Sequence, residues 1–194
     1  MGKHGIATAV LYYRMPNGHH SVPLTDVQNA FRYCRHHAAE WGVKTIGVMG
    51  FSAGGHLAAS ASTLYVDEIT RPDFSVLIYP VISADERHKH SGTFSNLTAD
   101  NPGLMEYYSL EKRITGDTPP AFLALSCNDT VKAENSMKYV LGLRDAGVRG
   151  ELYILPQGKH GWGFKAPDKD HLYPEYRALL YNALETFLET LDRK

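Results

Sequence analysis

Three positions carry residue types that could do chemistry together: Ser52, the Asn128-Asp129 pair and His160. A serine hydroxyl is a weak nucleophile at neutral pH and needs a neutral imidazole to take its proton as it attacks. The imidazole needs an anionic carboxylate to hold its tautomer and stabilise the imidazolium. Ser52 sits in the spacing Gly50-Phe51-Ser52-Ala53-Gly54, after the apolar run 46–51 and before the small residues Ala53 to Ala59. A strand, a sharp turn and a helix in that order form a nucleophile elbow, whose strained serine backbone lifts the hydroxyl clear of the sheet edge. Such strain costs about 1–3 kcal/mol, so flanking positions must be small, and Gly50 and Gly54 are read as meeting that need. The backbone NH of Ala53, at the start of the following helix, is the candidate donor to an oxyanion.

His160 is the candidate base. It lies in the loop Gly158-Lys159-His160-Gly161-Trp162-Gly163, whose glycines permit close approach. Trp162 could stack on a sugar or aryl ring, or simply be buried. Of the Asn128-Asp129 pair only Asp129 has the charge that the third position requires, although both could form a turn after a strand. The other histidines have plainer readings: His19-His20 in a turn, His36-His37 on a helix, His88 and His90 in a solvated loop, His56 and His171 in packing or capping, His4 at a frayed end. No metal site and no cofactor is expected.

The elements that would position these residues alternate. Residues 6–13 are rich in β-branched and aromatic types and read as a strand closed by Pro16-Asn17-Gly18. From Leu24 a helix sets Val27, Ala30, Phe31, Cys34, Ala38 and Trp41 on one face, with Gly42 as its stop. Strands are predicted over 46–51, 74–81, 121–126 and 152–155, and helices after the elbow, from about Glu134 to Gly147, and at the C-terminal end with Leu180, Leu184 and Phe187 on one face. Residues 83–118 are polar and patternless, as expected of a partly helical, lid-like insertion. Alternating strands and helices call for a parallel, twisted sheet covered on both faces, with ligands beyond the carboxyl ends of the strands. Ser52, the Asn128-Asp129 pair and His160 each follow a predicted strand.

With 194 residues, 43% of them hydrophobic, the chain fits one domain with a substantial core. A formal net charge of -1, without a basic block, gives no electrostatic footprint for nucleic acid or an anionic membrane. No apolar run could span a bilayer, and the first residues lack the charged-then-apolar order of a signal peptide. Cys34 and Cys127 are expected to be buried free thiols.

The chain resembles an α/β-hydrolase, and within that fold the carbohydrate-esterase branch of acetylxylan and feruloyl esterases. The resemblance rests on Tyr13-Arg14-Met15-Pro16, the elbow block through Ala58, Tyr79-Pro80-Val81, Asp117-Thr118-Pro119-Pro120, Asp129-Thr130-Val131 with Glu134-Asn135-Ser136, and the His160 block. It implies a serine esterase that cleaves short acyl or feruloyl esters of carbohydrates without a cofactor. Counted back from Val131, the family's acid position is Asn128; a shorter loop before Asn135 would instead bring Asp129 into register. The resemblance also implies that a strand and a glycine-rich loop with the second oxyanion donor lie upstream of this chain, the strand between 6–13 and 46–51. Two other readings remain open: a serine peptidase of the prolyl-oligopeptidase type, and a non-catalytic remnant or binding module.

Overall fold

The computed structural model describes residues 5–163 and 173–191. The readings of His4 and His171 therefore lie outside the described residues. Within those residues four strands form one sheet: β1 (Val48–Phe51), β2 (Ser75–Ile78), β3 (Ala121–Ser126) and β4 (Gly150–Leu155). They lie in the order β1-β2-β3-β4, every neighbouring pair parallel. Among the described residues six helices accompany them: α1 (Val22–His37), α2 (Ala53–Thr63), α3 (Ser91–Thr98), α4 (Pro102–Tyr107), α5 (Glu134–Asp145) and α6 (Pro174–Glu189).

The side-chain alternation of the strands divides the core into two layers. Leu77 and Leu123 face Ala58 and Ala59 of α2 and Tyr139 and Leu143 of α5. Val76, Ile78, Phe122 and Ala124 face Leu180, Leu184 and Phe187 of α6. The central strands β2 and β3 are buried along their whole length. That is why they read in sequence as continuous apolar runs. Helix α1 joins through a smaller cluster, with Leu24, Val27 and Phe31 against Leu57 and Ala61 of α2. It ends at His37, earlier than its predicted stop, and Trp41 is 48% exposed.

Residues 6–13 are not a strand. Val10 is 75% and Tyr12 92% exposed. Strand propensity describes a fit to a pleated, half-buried surface, and it yields no strand where no neighbouring backbone lies alongside. Strand β1 is the edge of the sheet, paired on one side to β2.

The segment 83–118 contains α3, α4 and a 3-10 turn at Leu110–Lys112. It is less polar in effect than its composition suggests, because Phe94, Tyr108 and Leu110 are buried in the α2/α5 layer. Its start is tied to α5 by the buried amide of Asn135. Asn135 Oδ1 accepts from the backbone NH groups of Ile82 and Ser83, each at 2.9 Å, and Nδ2 donates to His88 O at 2.9 Å. The cysteines differ from expectation: Cys34 is half-buried and Cys127 exposed, because β3 ends at Ser126 and Cys127 starts the turn beyond the sheet. Among the described residues no helix is long and apolar enough to cross a membrane.

Candidate active site

Ser52 occupies the turn between β1 and α2 with φ 55° and ψ -120°. A left-handed φ on a side-chain-bearing residue is unfavourable and persists only where the surroundings over-determine it. Three backbone hydrogen bonds do so. Ser52 N donates to Ile78 O at 3.0 Å, while Ser52 O accepts from His56 N at 3.0 Å and Val81 N at 3.3 Å. Close packing explains the glycines, with one change from expectation. A Cβ on Gly50 would overlap the Gly54 carbonyl, and one on Gly55 would stand 2.9 Å from Pro80 Cβ. A Cβ on Gly54 would meet only the Tyr13 hydroxyl, at 3.9 Å. The tight pair is therefore Gly50 and Gly55, since the turn folds Gly50 under α2 and brings α2 against the end of β2.

The loop after β4 brings His160 to this turn. His160 Nε2 lies 2.8 Å from Ser52 Oγ, and His160 Nδ1 lies 2.7 Å from Asp129 Oδ1. Asp129 follows β3 and its side chain is fully buried, whereas that of His160 is 30% exposed. The same Oδ1 accepts from Val131 N at 2.7 Å, so the carboxylate is held by its own turn. With the carboxylate as acceptor, His160 carries its hydrogen on Nδ1, leaving Nε2 to accept from the serine. Asn128, the preceding residue, is exposed. Residues from the ends of β1, β3 and β4 thus converge at one edge of a parallel sheet, which is where such sheets place their ligand sites.

The model of the alpha/beta hydrolase fold family matches residues 4–164. The chain belongs to the α/β-hydrolase fold family. It is 38% identical over 180 residues to an acetylxylan esterase of Xylanibacter ruminicola, an alignment that covers 88% of this chain and 37% of that protein. It is 34% identical over 157 residues to endo-1,4-beta-xylanase B of Butyrivibrio fibrisolvens, covering 73% of this chain and 25% of that protein. Among solved structures, the acetyl ester-xyloside bifunctional hydrolase of Caldicellulosiruptor lactoaceticus superposes with a TM-score of 0.87 at 34% identity, over 98% of this chain and 74% of that one. The chain therefore spans 37% and 25% of the lengths of the two curated relatives.

In this α/β-hydrolase chain Ala53 is the first residue of α2. Its NH has no carbonyl to bond within the helix and lies at the positive end of the helix dipole. Trp162 is fully buried, its ring edge-on to Tyr79 with centroids 5.1 Å apart. A ring enclosed in that way has no face to offer a substrate, so the stacking role considered for it gives way to packing. Tyr79 is a residue that sequence reasoning missed as part of the site. It has φ 39°, its ring centroid is 4.7 Å from that of His160, and its hydroxyl is hydrogen-bonded by the backbone of Gly163. Burial pushes its phenol up to about 12, which keeps it neutral beside the imidazole. The signal available in sequence was its place directly after β2, next to Pro80.

Proposed function

We propose that the chain is a serine ester hydrolase that works through an acyl-enzyme on Ser52 and acts on short acyl or feruloyl esters of carbohydrates. The observation that carries this reading is the pair of contacts His160 Nε2 to Ser52 Oγ, 2.8 Å, and His160 Nδ1 to Asp129 Oδ1, 2.7 Å. The names of the relatives, an acetylxylan esterase and an acetyl ester-xyloside hydrolase, support the short acyl esters of carbohydrates.

In this mechanism Ser52 Oγ attacks the ester carbonyl carbon while His160 Nε2 takes the hydroxyl proton. The carbonyl oxygen becomes an oxyanion that the Ala53 NH stabilises, and Asp129 stabilises the imidazolium. Collapse breaks the bond to the alkoxy oxygen, and His160 returns the proton to the leaving alcohol. Water, deprotonated by the same imidazole, then attacks the acyl carbon and releases the acid and Ser52. The contacts favour Asp129 over Asn128 as the third member because only Asp129 meets the imidazole. No step calls for a cofactor.

The test is the pre-steady-state release of 4-nitrophenolate from 4-nitrophenyl acetate by the purified chain and by its Ser52→Ala variant. A burst present in the first and absent from the second is the expected result. A folded chain that gives no burst would overturn the proposal and favour the non-catalytic reading.

A further inference from the structure

The loop that carries His160 has a distance to cover. It leaves β4, and in the order β1-β2-β3-β4 the strand that leads into Ser52 lies three strand spacings away, about 14 Å. The imidazole is therefore carried over the ends of β3 and β2. The residue directly after β2 is Tyr79.

Tyr79 has a costly backbone conformation for its type. Its φ of 39° is left-handed on a bulky side chain, and it precedes Pro80, a place that ordinarily favours extended backbone. Strain of this kind costs about 1–3 kcal/mol and persists where the surroundings over-determine it. Its backbone NH is fixed on Ala124 O of β3 at 2.8 Å. Its side chain is buried and meets three residues of the His160 loop. The ring centroid lies 4.7 Å from that of the imidazole and 5.1 Å from that of Trp162. The hydroxyl accepts from the Gly163 NH, and a Cβ on Gly163 would stand 3.1 Å from that oxygen. Burial raises the phenol, and the nearby Asp129 charge adds to the rise.

We propose that Tyr79 is a positioning residue for His160: its hydroxyl pins the far end of the loop at Gly163, and its ring supports the imidazole between Ser52 and Asp129. The assignment rests on the ester-hydrolase reading above. His160 makes two contacts, 2.8 Å to Ser52 Oγ and 2.7 Å to Asp129 Oδ1, from a side chain that is 30% exposed. Both lengths depend on where the loop comes to rest, and a misplacement of about 1 Å costs about 10²-fold in rate. Core packing alone calls for the ring of Tyr79. It calls for neither the left-handed backbone nor the bond to Gly163. Buried beneath the loop, Tyr79 acts through His160 rather than on the ester.

The experiment compares the chain with Tyr79→Phe, which keeps the ring and loses the hydroxyl, and with Tyr79→Leu, which loses both. Two quantities are measured on protein whose urea unfolding curve shows it to be folded. One is the burst rate with 4-nitrophenyl acetate as a function of ester concentration. The other needs no turnover: the downfield proton resonance of His160 Nδ1–H, assigned by its loss in His160→Ala. The burst rate should fall about tenfold in Tyr79→Phe and about 10²-fold in Tyr79→Leu, with the half-saturating ester concentration within about twofold. The resonance should broaden through solvent exchange in the first variant and vanish in the second. If Tyr79→Leu does not fold, the tenfold fall and the broadening in Tyr79→Phe carry the proposal. Variants that unfold at lower urea but keep the burst rate within about twofold and the resonance unchanged would reduce Tyr79 to a core residue and overturn it. A folded, unaltered chain without the resonance would overturn it as well. If the unaltered chain gives no burst while the resonance responds as expected, the hydrolase reading falls and the positioning role stands.

Discussion

Asp129 is the residue on which the chemistry turns most sharply. Its buried carboxylate is shared between the imidazole of His160 and the amide of Val131. In the proposed mechanism Asp129→Asn leaves the shape in place but favours the wrong imidazole tautomer, and turnover should fall by about 10⁴. Asn128→Ala, at an exposed position, should change turnover less than twofold in the same steady-state assay. The opposite pattern would return the third position to Asn128. His56 gives a pH dependence of stability. Its folded pKa of about 4 lies below the ordinary histidine value of 6.5, so the unfolded chain binds the proton first as pH falls. Stability from this group is fully present above about pH 6.5 and is lost on the way down to about pH 4, by about 3 kcal/mol in all. Urea unfolding at a series of pH values should show this loss, and His56→Asn should flatten it.

At the scale of elements, the turn after β1 and the attachment of 83–118 are the points of greatest consequence. Gly50 cannot accept a methyl group without displacing the first turn of α2. Gly50→Ala should therefore lower the unfolding midpoint and the rate of Ser52 labelling by a fluorophosphonate together. The segment 83–118 is held from below by Phe94, Tyr108 and Leu110 and at its entry by Asn135. Removing that amide leaves two buried backbone NH groups without acceptors. Asn135→Ala should cost about 2–4 kcal/mol in urea unfolding, at about 1–3 kcal/mol for each unsatisfied group less local relaxation. The lid-like role expected of this segment would show as a faster loss of proteolytic protection over 83–118 in that variant.

At the scale of the whole molecule, no described residue pairs with the outer side of β1. Backbone NH groups of Val48 and Ser52 bond toward β2, so by alternation those of Met49 and Phe51 point away from the sheet. Exposed Val10, Leu11 and Tyr12 add apolar surface on the chain outside the sheet. An unpaired edge and exposed apolar side chains both favour association. Sedimentation velocity should show a mean size that grows with protein concentration, and the double change Val10→Lys and Tyr12→Lys should reduce that growth. A monodisperse monomer with a sharp two-state unfolding transition would contradict the expectation.

Local signals were legible where the physics is local. Gly50-Phe51-Ser52-Ala53-Gly54 after an apolar run fixes a strand, a strained turn and a helix through short-range sterics, and β3 is found at 121–126 as predicted. The helix from Glu134 was likewise readable from spacing, whereas 83–118 shows no periodicity and its helices α3 and α4 could be anticipated only in general, from the length of the segment. Other features depend on residues far apart in the chain. Residues 6–13 have strand composition but no backbone alongside, and pairing is a property of two segments. Trp162 is buried because Tyr79 and α6 close over it, which no feature of its own loop announces. Charge already favoured Asp129 over Asn128 in the sequence, while register left Asn128 open, and the contact that supports Asp129 is tertiary. Adjacent residues in a turn project in different directions, and only the folded arrangement of β3 beside β4 brings one of them within 2.7 Å of His160 Nδ1.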